Sequence, residues 1–558
     1  MRRLFTVLLV PALALTACSA ASESSGAPPV SSASPSPDAE VEPAGVRLRV
    51  PPTSTVVPGT TAPEMAAATT TALFESAPVV VLAGDGDLPS QARAASVAVA
   101  LGVPLLLAPA GSASATVRAE VARLAPAAVL TVGPAAATWA GQLDDVDAVH
   151  APGDDERLAE LTGLDLGPST PASDPEVLRA VAALDRKGEV PLLAAGEADA
   201  GRGDVEGLPD VRATGSADGT VMLTTDDPAR TAAVATARAA GAEVVVVPGP
   251  DPRAYPDVIA RLAELAPDRI LGLGGSFGDP AQFATRVETA ATGVELPGGG
   301  QLVLPGKRYI ALYGHPGSDR LGVLGEQGPE ASVGRAVDLA SQYAAVDTET
   351  QVVPTFEVIA TIADAVPGAD GDYSAESTID HLRPYVDAAA RNGVYVVLDL
   401  QPGYADFLSQ AKRYEELLAL PHVGLALDPE WRLAPGQRHL RQVGRVSAAE
   451  VNGVGDWLAA LVRDRRLPQK MLLLHQFKTY MLEDRDQIVA DRDELAVVTQ
   501  MDGHGPTGSK LETWSVILRD PPAGMVFGWK NFYDEDSPTM TPERTLAVEP
   551  TPVFISYQ

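Results

Sequence analysis

Val423-Gly424-Leu425-Ala426-Leu427 runs straight into Asp428-Pro429-Glu430-Trp431. Five residues without a charge or hydroxyl read as a strand buried on both faces, and the switch to two carboxylates and an indole marks its end. The same grammar recurs along the chain after Arg308, at Tyr309 to Tyr313, Val352 to Phe356, Val394 to Leu398, Met471 to Leu474, Leu495 to Thr499, Met525 to Gly528 and Val553 to Ser556. Helical patterns separate most of these runs, over Ala331 to Tyr343, Ser377 to Arg391, Tyr404 to Leu418, Ala448 to Arg465 and Asp484 to Asp493; the last two crossovers are less regular. Eight strand–helix units in about 250 residues have the size and rhythm of a (β/α)8, TIM-like barrel, here spanning 308–558. An open doubly wound sheet is the competing arrangement.

A barrel makes a definite prediction: polar residues just after each strand converge on one face, where the sites of such barrels lie. Strand one ends in Gly314-His315-Pro316-Gly317 and leads to Glu326-Gln327; strand two ends at Glu357. Strand three ends at Asp399, strand four at Asp428 and Glu430, and strand five in His475-Gln476-Phe477. Strand six runs into Asp502-Gly503-His504, and strand seven into Trp529-Lys530-Asn531-Phe532-Tyr533. Any one carboxylate after a strand is more often a helix N-cap than a chemical group. Carboxylates at four strand ends with aromatic rings nearby are a stronger pattern. Sugars bind through hydrogen-bonded hydroxyls and ring faces stacked on aromatics.

Glycoside hydrolysis needs two carboxyl groups flanking the bond, one of them kept protonated by its surroundings. Asp428 and Glu430 lie two residues apart, on the same side if the chain there is extended. Glu430, Asp428, Asp502, Asp399 and Glu357 are therefore the candidate catalytic groups. His315, Glu326, Gln476, His504, Trp431, Trp529, Lys530 and Tyr533 are the candidate substrate contacts. The Asp-x-Glu at a fourth strand end, with Met501-Asp502 after the sixth, resembles the chitinase-like glycoside hydrolases. That resemblance implies Glu430 as the acid and Asp428 as the group steering an N-acetyl substituent. The aspartate-glycine run that precedes the motif in that family is replaced here by Val423 to Leu427.

A metal-assisted hydrolase is an alternative, because His315, His475 and His504 with Asp399 and Asp502 form a mixed set of the kind that suits zinc. Strand one lacks the His-x-His pair of amidohydrolase-like proteins, so no metal ligand is assigned. A Ser-His-Asp hydrolase lacks its Gly-x-Ser-x-Gly elbow. Gly272-Leu273-Gly274-Gly275 is too loose for a nucleotide fingerprint, and no cofactor is expected.

Upstream, over 63–292, apolar strands alternate with helices in the pattern of a covered parallel sheet. Val79 to Ala83 ends in Gly84-Asp85-Gly86; a helix, the strand Val103 to Ala108, a second helix and the strand Ala128 to Val132 follow. The order returns at Val221 to Thr224, Ala229 to Ala240, Val244 to Val247 and Ile270 to Gly275. These copies, about 79–140 and 221–287, resemble the cell wall-binding repeat 2 family, through Gly84-Asp85, the stretch Ala100 to Leu107 and the close at Gly274-Gly275. The family usually has three repeats; Val190 to Gly196 is a degenerate third, and Gly133-Pro134 replaces a Gly-Gly. The resemblance implies noncovalent attachment to wall polymers. Leu296-Pro297-Gly298-Gly299-Gly300 reads as a break between the two regions.

The chain opens with Arg2-Arg3 and an apolar run from Leu4 to Ala17. As a helix it would rise only about 21 Å, too short to cross a membrane and right for a secretory signal over 1–17. Leu15-Thr16-Ala17-Cys18 resembles the bacterial lipobox, which implies an acylated Cys18 and anchoring on the wall side of the cell membrane. Cys18 is also the only cysteine, so internal disulfides and thiol catalysis are excluded. The Ser/Pro/Ala-rich stretch 18–62 reads as a tether. A formal net charge of −31 argues against nucleic acid as partner. The expectation is an exported, membrane-anchored lipoprotein whose barrel handles a cell-wall polymer or polysaccharide. A non-catalytic carbohydrate-binding or structural wall protein is the competing class.

Overall fold

The computed structural model describes residues 45–109, 113–143, 146–186, 190–194, 208–209, 211 and 213–558. The signal segment, Cys18, the tether up to 44 and the end of the degenerate third repeat lie outside them.

The eight apolar runs form β1 (Lys307–Gly314), β2 (Gln351–Ala363), β3 (Tyr395–Leu400), β4 (Val423–Leu427), β5 (Lys470–His475), β6 (Leu495–Met501), β7 (Val526–Asn531) and β8 (Phe554–Tyr557). Each pairs in parallel with the next, and β8 pairs with β1, so the sheet closes and the open alternative is set aside. Alternation along the strands builds two cores. Leu312, Phe356, Val396, Leu398 and Leu425 face the helices. Tyr309, Val353, Tyr395, Met471, Val498 and Phe554 fill the barrel interior.

Helices Pro329–Ala344, Ile379–Arg391 and Ala448–Arg465 follow β1, β2 and β4. The helix expected over Asp484 to Asp493 is absent; the segment contains only a single 3-10 turn, Arg485–Gln487. The reason is a competing set of bonds. The Asn452 amide donates to the Gln487 carbonyl and accepts from the Val489 N–H, Arg492 pairs with Asp456, and Ile488 and Ala490 are buried. The side chains of one helix thus hold the crossover open.

The Gly-rich break is also more than a spacer. Leu296 and Val303 are buried in the inner core, at the N-terminal end of the barrel. The Val303 carbonyl accepts from the Tyr309 hydroxyl, and its N–H donates to Gln469. The segment closes the floor of the barrel.

In the N-terminal region, the first copy forms a parallel sheet in the order Leu105–Ala108, Val79–Gly84, Ala128–Val132, Asp147–His150. The second copy has the same order: Glu243–Val247, Thr220–Thr225, Arg269–Leu273, and then Thr55–Val57. Its fourth strand comes from the stretch expected to be tether. Val46–Leu48 is a strand as well, and Val46 and Val57 are buried, so ordered structure begins before residue 62. The alanine-rich helix Thr231–Ala240 packs against both Ala62–Leu73 and Leu88–Leu101, its own small side chains buried all round. No helix among the described residues is long and apolar enough to cross a membrane.

This region meets the floor of the barrel through charges. Asp493, just before β6, lies 2.9 Å from Arg253 and 2.5 Å from Arg286, while Asp251 lies 2.8 Å from the same Arg253. The opposite end of the barrel is left free for the loops that follow the strands.

Candidate active site

Along β3, Tyr395 and Val397 point inward, so Asp399 does too. Along β5, Met471 and Leu473 point inward, so His475 follows them; along β1, Tyr309 and Ala311 are followed by Tyr313. The same step brings Glu357 in from β2 and Lys530 from β7. The interior is therefore apolar through its lower layers and turns polar only at the C-terminal ends of the strands.

His475 is the centre of that polar layer and is fully buried. Its Nδ1 lies 2.9 Å from Asp502 Oδ2. Its Nε2 lies 2.9 Å from Glu357 Oε1 and 3.6 Å from Asp399 Oδ1, shared between the two rather than aligned on either. The Tyr313 hydroxyl donates to Asp399 Oδ2 at 3.1 Å, and Gln401 Nε2 donates to that hydroxyl at 3.2 Å. Lys530 Nζ sits 3.3 Å from the centroid of the Tyr313 ring. Gln500 Nε2 donates to Glu357 Oε2 at 3.5 Å.

Burial of so many like charges shifts their titration. Burial raises the Asp399 carboxyl to about 6, with His475 opposing and Glu357 adding to the shift. Burial, then the charge of Asp502, pushes Glu430 up to about 7 against the pull of Lys530 and His475. Asp428 is held well above the usual carboxylate range, first by burial and then by Asp399, Asp502 and Glu430. Burial disfavours the His475 imidazolium, but Asp399, Asp502, Glu357 and Asp428 more than offset it and raise its pKa well above the ordinary value.

A cavity of about 650 Å³ opens above this layer. Asp428, Glu430, Trp431, Asp502, His504 and Lys530 line it. Glu357, Asp399 and His475 lie outside the lining and are fully buried; Asp399 connects to it through the Tyr313 hydroxyl and His475 through Asp502. Asp428 and Glu430 do not share an extended chain: Pro429–Trp431 is a 3-10 turn, and Asp428 Oδ1 accepts from the Glu430 N–H at 3.0 Å. The cap and the cavity wall are the same residue.

Five of the expected substrate contacts fall elsewhere. Trp529 points outward from β7 into an apolar cluster with Trp514 and Met501, because Lys530 takes the inward step. Gln476 points away for the same reason, donating to the carbonyls of Lys478 and Thr479. His315 bonds to Ser377 and stacks on His381. Glu326 is paired with Arg335 at the surface, and Tyr533 lines a separate shallow pocket beside Arg335. Polar residue type after a strand end, without the direction each side chain faces, pointed to His475 only as part of the metal alternative and did not point to Tyr313. Counting in twos from the apolar inner residues would have found both.

The donor atoms of Asp428, His475 and Asp502 all lie within 4.8 Å of one another, a spacing that could hold a metal ion. His315 and His504 are not part of that group.

A closed parallel barrel with an acidic, aromatic-edged cavity at the C-terminal ends of its strands has its polar cluster where barrel enzymes keep their sites. No protein-family model and no curated protein sequence matches the chain. Among solved structures, Cwp6 from Clostridium difficile is similar at 12% identity and a TM-score of 0.29, over 57% of this chain and 64% of that one. Cwp8 from the same organism is similar at 13% identity and a TM-score of 0.30, over 43% of this chain and 52% of that one. Dihydropteroate synthase of Burkholderia cenocepacia is similar at 13% identity and a TM-score of 0.23, over 46% of this chain and 86% of that one. The chain spans less than two thirds of the length of Cwp6 or Cwp8. Likenesses this slight assign neither a residue nor an activity.

Proposed function

We propose that the protein is an envelope-anchored carbohydrate-processing enzyme, cleaving a glycosidic bond in a cell-wall or environmental polysaccharide. One observation supports the reading above others: Asp428 and Glu430 from one strand end and Asp502 from another line a single cavity with the Trp431 ring. In this reading Glu430, the least buried of the three, donates its proton to the leaving oxygen. Asp428, below it and fixed by its cap on the Glu430 N–H, and Asp502 serve the opposite side of the scissile bond. Trp431 supplies a face for a sugar ring. The repeat region, with its two sheets of like order, is the wall-attachment module. In this reading Cys18 carries a lipid and residues 1–17 are its signal, which would hold the molecule on the outer side of the membrane.

The test is turnover of purified wall glycans and a panel of polysaccharides by Glu430→Gln. The variant should lose about 10²–10⁴-fold in rate while keeping its fold by circular dichroism and its affinity for the glycan. Wild-type rates in the variant, or no turnover of any glycan by the parent, would contradict the reading.

A further inference from the structure

We infer that a divalent cation binds at the floor of the cavity, between Asp428, Nδ1 of His475 and Asp502. Ligand atoms around one ion at about 2.0–2.2 Å sit roughly 3 Å apart when adjacent and at most about 4.4 Å when opposite. The three donors here fall within 4.8 Å of one another, so a shift of a few tenths of an ångström brings all of them within reach of one ion, and His475 Nδ1 already lies 2.9 Å from Asp502 Oδ2, the length of one edge of such a polyhedron.

Two further observations point to an ion rather than to hydrogen bonds alone. The first is the far side of the imidazole. A ligating histidine is held by carboxylates around its other nitrogen, and His475 Nε2 lies between Glu357 Oε1 at 2.9 Å and Asp399 Oδ1 at 3.6 Å, close to both and aligned on neither. Nδ1 bonds to Asp502 Oδ2 at 2.9 Å, and an ion bound between the two would displace the proton they share. The second is Asp502 Oδ1, which has no hydrogen-bond partner although Asp502 is only 9% exposed and lines the cavity. An unpartnered buried carboxylate oxygen is costly, and a cation removes the cost. The wider balance agrees, since four carboxylates surround one imidazole.

One nitrogen and two carboxylates suit Zn²⁺ or Mn²⁺. The remaining positions face the cavity, where sugar hydroxyls would bind; that role rests on the proposed glycan chemistry, whereas the binding of the ion does not. After stripping with a chelator, the full chain is dialysed against Zn²⁺ or Mn²⁺ and the bound metal counted by mass spectrometry. The wild type should hold about one ion per chain. Asp502→Asn and His475→Gln should lose it, Glu357→Gln should weaken it about 10–100-fold, and the surface variant Glu326→Gln should keep it. Absence of saturable binding by the wild type overturns the inference whatever the variants do, and so does undiminished binding by a folded Asp502→Asn. One ion per chain without glycan turnover would uphold the site and remove the glycosidase reading.

Discussion

His475 and Gln476 are adjacent, and only one of them belongs to the site. The chemistry available to each side chain in this barrel is decided by a single step of strand alternation. Trp529 and Lys530 repeat the lesson on β7, the indole going to the apolar outer layer and the amine to the cavity. The sequence displayed the residue types at every strand end, but facing depends on register, which a run of uninterrupted apolar residues does not reveal. Lys470 shows the same layering from below. It enters the barrel wall at the start of β5, is fully buried, and donates to the carbonyls of Leu420 and Val423 at 2.7 Å each. Burial lowers its pKa to about 7. The unfolded chain keeps its proton up to about pH 10.4, so between about 7 and about 10 the unfolded state holds one proton more than the folded state. This group therefore makes stability rise with pH across that window, by up to ~1.4 kcal/mol per unit, and fall again as pH drops toward 7. Denaturant midpoints measured from pH 7 to 10 should show a shallower rise in Lys470→Met than in the parent. Parallel pH curves for the two would contradict it.

At the scale of elements, the eight barrel strands were legible because each contains an apolar run, but β2 continues past Glu357 to Ala363, so that carboxylate sits within its strand rather than at the end of it. The helix boundaries at Ala448–Arg465 were legible because a capping Ser447 and an apolar face agree. The crossover before β6 was not, because what holds it is long-range: Asn452 and Asp456 lie on another helix and override local propensity. The strand Thr55–Val57 was hidden for a similar reason, since its partner Arg269–Leu273 lies more than two hundred residues away. The same distance relationship governs the floor of the barrel. Burial works against the charge on Asp493, yet Arg286 and Arg253 hold its pKa below the usual carboxylate range. Asp493→Asn leaves the buried Arg253 and the partly buried Arg286 with Asp251 as their remaining acid there. The cost should be roughly 1–3 kcal/mol, below the ~3–5 of a fully buried pair because the Asp493 side chain is 17% exposed. Thermal unfolding of the full chain measures it, and an unchanged midpoint would show that the contact contributes nothing.

At the scale of the whole molecule, the barrel has two ends with separate tasks. Its floor is sealed by the Leu296 to Val303 segment and joined to the repeat region, and its mouth carries the acids. In the proposed reading, wall attachment falls to the repeat region at one end and glycan handling to the mouth at the other. A lipid on Cys18 would complete it by limiting the mouth to polymer within reach of the tether. The most direct test is a crystal structure of Glu430→Gln with a bound wall-derived oligosaccharide. A sugar ring should lie against Trp431 and a glycosidic oxygen within hydrogen-bond reach of the residue 430 side chain, with Asp428 and Asp502 on the far side. An oligosaccharide bound only elsewhere on the chain, with the cavity filled by water, would contradict it.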